Sequence, residues 1–123
     1  MCLIINIGGM KGIVIVSKLW TKLLSAGKAD AITIFPFIFL RYKTLKTDRR
    51  LINHERIHIR QALELLIIIF YAWYIIEFMI RFIQHKNFHQ AYINISFERE
   101  AYSNENNSIY LKERKPWSFW KYL

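Results

Sequence analysis

The residues in this sequence best suited to do chemistry are five in a row, His54-Glu55-Arg56-Ile57-His58. Residues four apart on a helix share a face, so both imidazoles can reach one metal ion. Glu55 is turned about 100° from His54, which aims its carboxylate at a water activated by the metal rather than at the metal itself. A bound zinc would acidify that water, and Glu55 would accept its proton as general base during attack on a carbonyl. The pattern is uncommon by chance: a shuffled chain of this composition shows it in fewer than about one case in a hundred. At 100° per residue, His54 and His58 share a face with Leu51, Ala62 and Leu65, while Arg49, Asn53, Arg56 and Arg60 form a polar stripe on roughly the opposite side. The histidines are therefore expected to face the interior. Two incidental histidines on a polar helix would more naturally lie on the arginine side.

A catalytic zinc needs a third protein ligand and an open position. Cys2, the one cysteine, is not suitably placed. The acidic candidates downstream are Glu64, Glu77, Glu98, Glu100, Glu105 and Glu113. Glu64 and Glu77 fall on the same helical stretch as the histidines, which would have to break to bring them round. Glu98 and Glu100 fall on the next helix and can pack back. They are two residues apart, about 200° of rotation, so they cannot share a face. Glu98 has Ile95, Ala101 and Tyr102 beside it, an inward face. Glu100 has Ser96, Phe97, Ser103 and Asn104, a face better suited to solvent. A second histidine pair, His85 and His89, also has four-residue spacing, but Lys86-Asn87 reads as a turn between them.

A His-Glu-x-x-His helix followed by a helix bearing Glu-x-x-Ala resembles the glutamate-type zincin metallopeptidases. The likeness is nearest to the HtpX and CAAX-protease branch and to the membrane peptidases of β-lactam sensors. The stretch from Leu51 to Tyr102 also resembles a small, uncharacterised bacterial family with His-Glu-Arg/Lys-Ile-His followed by Asn-Ile-Ser-Phe-Glu-Arg-Glu-Ala-Tyr, here Asn94 to Tyr102. The resemblance implies a zincin-like helix pair with His54, His58 and Glu98 on Zn2+, Glu55 as catalytic base, and a peptide or protein substrate. It selects Glu98 as the first residue of Glu-x-x-Ala. Tyr102 stands where the larger families have an aspartate that supports the site, and the chain is far shorter than most of those peptidases. Tyr102 and His89 are candidates for stabilising an oxyanion. The rival function is a non-catalytic, zinc-stabilised or pseudo-peptidase interaction protein at a membrane.

These residues must be positioned by few elements. With 123 residues the chain has room for one domain and one modest core. Its segments read as 1–30, an amino-terminal part; 31–46, a strand or edge element; 47–104, the zinc-site helices; and 105–123, a basic aromatic tail. Ile13 to Val16 is β-rich, and Ser17 to Leu24 is a short helix ended by Gly27. Ala31 to Leu40 is β-branched and aromatic, with Pro36 restricting it to an edge or bend, and could hold an extended substrate by strand addition. Thr47 or Asp48 caps a long helical stretch from Arg49 to about Gln84, broken at most once. A second helix is expected over Gln90 to Ser103. The tail's Trp117, Phe119, Trp120 and Tyr122 would dock on the core or sit at a membrane interface. The expected class is mainly α with a small β element, an α+β protein.

Composition bounds the partners. The chain is 54% hydrophobic and 16% aromatic yet carries a net charge of +9, which excludes low-complexity disorder and favours an anionic membrane surface. No nucleic acid is expected, because no recognised motif accompanies the arginine stripe. The segment 62–83 is 22 residues, about 33 Å of helix, long enough to span a bilayer, although Glu64, Glu77 and Arg81 lie within it. Glu77 and Arg81 are spaced to pair. Leu3 to Val16 makes a poor signal peptide: Gly8, Gly9 and Lys11 interrupt it, and Met10 is a second candidate start. The expected place is the cytoplasmic side of a membrane, with the cytoplasm as the alternative.

Overall fold

The computed structural model describes residues 2–7 and 10–123, with side chains from Ile13 onward. Gly8, Gly9 and the first methionine fall outside the described residues. The protein is mainly helical with a small sheet, as the sequence led us to expect. Four strands, β1 (Cys2–Ile7), β2 (Met10–Val16), β3 (Ala31–Ile34) and β4 (Phe37–Leu40), lie in the order β1-β2-β4-β3. β2 runs parallel to β4, and the other two pairings are antiparallel. Helix α1 (Lys18–Leu24) follows β2. After β4 come α2 (Arg49–Glu64), α3 (Ile68–His85), α4 (Phe88–Ile93), α5 (Ser96–Asn104) and α6 (Tyr110–Glu113).

The apolar run from Ala31 to Leu40 is two strands, because Phe35-Pro36 is the turn of a hairpin. β3 is an edge of the sheet: among the described residues it pairs with β4 alone. The amide of Arg41 donates to the carbonyl of Asp30 at 2.8 Å. Antiparallel alternation then turns the backbone groups of Ala31 and Thr33 toward the open edge. The next outward amide, that of Phe35, donates to the Tyr71 hydroxyl at 2.8 Å, so α3 starts beside the hairpin turn.

α2 joins two halves of the core. Its Ile59 packs with Val14, Ile38 and Leu40 of the sheet. One turn later, Ala62 and Leu65 pack with Phe70, Ile95, Phe97 and Phe119. The Asp48 carboxylate starts the helix by accepting from the amide of Leu51 at 3.0 Å, satisfying an amide that has no partner within the helix. The expectation that Asn53 belongs to the solvated stripe is wrong. Asn53 is buried, and its amide nitrogen donates to the carbonyls of Asn104, Glu105 and Asn107 at 3.0–3.2 Å. Those carbonyls lie at and just beyond the carboxyl end of α5, where the helix no longer supplies a full set of donors.

The stretch from Arg49 to Gln84 breaks once, and its two helices meet at 113°. No glycine or proline marks the place. The chain makes a Schellman turn: Ile67 donates to the Ala62 carbonyl at 2.7 Å and Leu66 to the Leu63 carbonyl at 3.3 Å. Leu66 takes the positive φ, 54°, that such a turn requires, and Ile67, at 63°, lies in a tight turn in which the Ile68 amide donates to the Leu66 carbonyl at 2.6 Å. The segment 62–83 is therefore not one continuous helix, and no single described helix is long and apolar enough to cross a membrane. The second expected helix is also divided. α4 ends at Asn94, and α5 begins where the Glu77 carboxylate accepts from the amide and hydroxyl of Ser96 at 2.8 and 2.7 Å. Glu77 also pairs with Arg81 at 3.4 Å. The tail docks through Phe119, fully buried, while Trp117 and Trp120 stay about half exposed.

The break generates a stability prediction. Leu66 is 74% exposed, so its side chain contributes little burial, while its backbone sits where a Cβ costs about 1–2 kcal/mol. Leu66→Gly relieves that strain at an entropic cost of about 0.5–1 kcal/mol. Its denaturant midpoint should match or exceed wild type, whereas β-branched Leu66→Val should fall by about 1 kcal/mol or more. A clearly destabilised Leu66→Gly would contradict this turn.

Candidate metal centre

Three side chains from two helices converge in the interior. His54 and His58 leave α2 on one face, as their spacing requires, and Glu98 comes from the first turn of α5. All three are buried. The Nε2 atoms of the two histidines are 3.2 Å apart. Glu98 Oε2 lies 3.1 Å from His54 Nε2, and Glu98 Oε1 lies 3.2 Å from His58 Nε2. Ala101, one turn after Glu98 and fully buried, lets α5 pack closely at this level. The geometry selects Glu98 over Glu100, as the helical rotation implied.

The partners of the other ring nitrogens fix what these atoms can do. His54 Nδ1 meets Glu105 Oε2 at 2.8 Å, and His58 Nδ1 meets the side-chain oxygen Oε1 of Gln61 at 2.9 Å. Gln61 is oriented by its own amide nitrogen, which donates to the Phe97 carbonyl at 3.1 Å and to Glu100 Oε2 at 2.8 Å. Both acceptors call for an N–H on Nδ1, which leaves each neutral Nε2 with a lone pair aimed at the same point. Two lone pairs and a carboxylate cannot share buried space without a positive charge between them. His54, His58 and Glu98 therefore form a group that can hold a metal ion. The orienting contacts from Glu105 and Gln61 are of the kind that sustains metal ligands.

Without a metal, a proton takes that place. Burial of His58 opposes its charge, but the adjoining Glu98 carboxylate outweighs this and lifts its pKa to about 9. Burial likewise works against the Glu98 carboxylate, yet the imidazoles of His58 and His54 hold it well below the usual range. Tyr74, on α3, donates to Glu98 Oε1 at 2.7 Å, adding a hydroxyl donor to the carboxylate oxygen that faces His58.

Glu55 is buried next to the ligand histidine, and its Oε2 accepts from the Thr33 hydroxyl of β3 at 2.5 Å. The pair links the edge strand to the motif helix. Tyr102 packs edge-on against the His54 ring, centroids 4.5 Å apart. The supporting carboxylate absent at position 102 comes instead from Glu105. His85 ends α3 and His89 lies in α4, both exposed, so their spacing does not make a ligand pair.

One expectation is overturned: Glu100 is not turned to solvent but fully buried. It accepts from Gln61, from the Tyr110 hydroxyl at 2.7 Å, and from the Arg114 guanidinium, which also binds Glu64. Sequence reasoning missed Gln61, Glu105, Tyr74 and Thr33 as supporting residues. Gln61 lies three after His58 and Glu105 seven after Glu98, so helical spacing held a signal for both. Tyr74 and Thr33 arrive from other elements, with no local signal.

His58 titrates above its ordinary 6.5, so the stability it lends the metal-free protein is fully present below about pH 6.5. That contribution is lost as the pH rises through about 9. A metal must displace the same proton, so apparent metal affinity should rise about tenfold per pH unit from pH 6.5 toward 9 in chelator-buffered titrations; a flat profile would refute the assignment. Glu98→Ala should remove bound metal as completely as His58→Ala. Arg114→Met, which strands Glu64 and Glu100, should instead lower stability by about 3–5 kcal/mol. Comparison of the chain with protein families, curated proteins and solved structures finds no match.

Proposed function

We propose that the protein is a zinc-dependent metallopeptidase acting on peptide or protein substrates at a membrane surface. The observation that carries the reading is that two imidazole nitrogens 3.2 Å apart each meet the Glu98 carboxylate at 3.1–3.2 Å, His54 through Oε2 and His58 through Oε1, with Glu55 beside them. Three corners of a tetrahedron around an ion at about 2.0 Å are about 3.3 Å apart, as zinc requires. Calcium takes six to eight oxygen ligands, a shell that two imidazole nitrogens do not suit. Two imidazoles and a carboxylate are also a catalytic zinc set, with a fourth position open.

Bound zinc supplies Lewis acidity, polarising a scissile carbonyl and acidifying a water. The remaining work falls to the chain. Glu55 takes the water's proton and passes it to the leaving amine. Thr33 holds the Glu55 carboxylate in one orientation, and its own strand offers the outward backbone groups of Ala31 and Thr33 to an extended peptide. Tyr74 keeps Glu98 aimed at the ion.

The membrane part of the proposal rests on the outer face of α3. Ile68, Ile69, Ile75, Ile76, Met79, Ile80 and Ile83 are 48–80% exposed and form one stripe at helical spacing, about 24 Å long. Leu19, Trp20 and Leu23 of α1 are exposed as well. A patch of this extent is unusual for a free monomer. With a charge of +9, it suits a helix lying in an anionic lipid surface.

One observation favours the second reading, a metal-stabilised interaction protein: His54, Glu55, His58 and Glu98 are each no more than 6% exposed. Glu55→Gln separates the two. A peptidase should keep its zinc and melting temperature in this variant while losing peptide-library hydrolysis by about a hundredfold or more; equal turnover by variant and wild type removes the enzyme reading. The expressed protein should also sediment with membranes, resist salt extraction and dissolve in detergent. A monodisperse protein in plain buffer would rule out the membrane reading.

A further inference from the structure

We infer that Tyr71 sets how much of a substrate the site admits, and that the site therefore cuts close to the amino end of a peptide. The inference rests on the peptidase reading and narrows it. Along the open edge of β3, the backbone groups of Ala31, Thr33 and Phe35 turn outward in alternation. Thr33 marks the catalytic level, because its hydroxyl holds the Glu55 carboxylate at 2.5 Å. Two residues on, about 7 Å along the strand, the outward amide of Phe35 is already taken by the Tyr71 hydroxyl at 2.8 Å. That hydroxyl stands where the carbonyl of an added strand would sit. The 113° bend after α2 carries α3 across this end of the strand. The Tyr71 ring packs on Phe70 and joins the core around Ala62 and Phe97, so the stop is held in place.

At the other end of β3 the crossing contact is softer. Lys28, in the loop before the strand, lays its ammonium over the Phe88 ring of α4 at 3.9 Å. Both side chains are exposed, and a rotation of the lysine clears the way. The edge is shut beyond Thr33 and opens before Ala31. Pairing gives the direction. Ala31 and Thr33 each offer an N–H and a C=O, which an antiparallel partner takes in pairs, the more stable ladder per residue. An antiparallel peptide points its amino end at Phe35, where about two residues fit before the chain must end. The burial of His54, Glu55, His58 and Glu98 agrees, since a chain end is the slimmest part of a polypeptide to reach them. In the cut, the hydroxyl of water joins the carbonyl carbon and the C–N bond breaks. The water's proton passes through Glu55 to the leaving amine. The products are an amino acid or dipeptide and a peptide shortened at its amino end.

The test uses the full, zinc-loaded chain and unstructured peptides, each in linear form and closed head to tail, with products mapped by mass spectrometry. Wild type should cut the linear forms within about two residues of the amino end and leave the cyclic forms intact. Cuts in mid-chain, at the carboxyl end or in the cyclic forms overturn the inference and leave the peptidase reading standing. Failure to cut any peptide removes that reading and this inference with it. Tyr71→Ala and Tyr71→Ser, with metal content and circular dichroism confirming the fold, should move the cuts inward. Binding gives a readout without turnover. In Glu55→Gln, a labelled peptide lengthened at its amino end should bind about tenfold more tightly once Tyr71→Ala is added, as two further ladder hydrogen bonds allow. Cut positions or affinity unchanged in a folded Tyr71 variant overturn the inference. Where neither variant folds, the product map of the wild type decides alone.

Discussion

Everything at the centre of this protein follows from one demand: two imidazole lone pairs and a carboxylate meet in buried space and require a positive charge between them. The demand is not an accident of side-chain placement. Each ring is pinned through its other nitrogen, by Glu105 from beyond the end of α5 and by Gln61 from α2 itself. Those contacts specify the tautomer that keeps Nε2 unprotonated. An interior arranged this way is strained electrostatically when empty and satisfied when a cation is present. The raised pKa of His58 reports the same preference with a proton as the cation.

Around that point the molecule has turned its acids inward. Glu77 caps α5, Glu98 and Glu105 serve the histidines, and Glu64 and Glu100 clasp Arg114. Buried ion pairs are weak sources of net stability, since desolvation offsets most of the attraction. They are strong sources of specificity, because removing any one partner leaves a charge with no solvent. The cost of this interior appears outside as a surface more basic than the net charge of +9 suggests. The exposed face of α3 carries almost no charge, so the surface divides into cationic and apolar parts.

The three residues of the group that can hold a metal were legible in the sequence because helical spacing groups them by face. His54 and His58 are four apart, and Glu98 has apolar neighbours at the positions that share its face. The same method failed for Glu100. Its helical neighbours Ser96, Ser103 and Asn104 look like a wet face, and nothing local announces that Arg114 will return from ten or more residues away to bury it. Asn53 failed for a related reason, since its partners are backbone carbonyls, which no side-chain pattern reveals. The bend after α2 was expected as a single break, but its position was not. A Schellman turn is normally signalled by glycine, and here Leu66 accepts the left-handed conformation. A bend at Pro36 and a cap at Thr47 or Asp48 were readable, because proline and aspartate act through their own backbone neighbourhoods, but that the bend is a hairpin turn between two strands was not.

The buried contacts also tie the tail to the group that can hold a metal. His58 is oriented by Gln61, Gln61 is oriented by Glu100, and Glu100 is held by Tyr110 and Arg114, both beyond the second site helix. A polar chain of this kind is cooperative, since each bond polarises the next and no member can leave without stranding its neighbour. Phe119 anchors the same tail in the core that Ala62 and Phe97 share. The last third of the chain is thus part of the mechanism that aims His58. The residues that build the core therefore also set the geometry of that group.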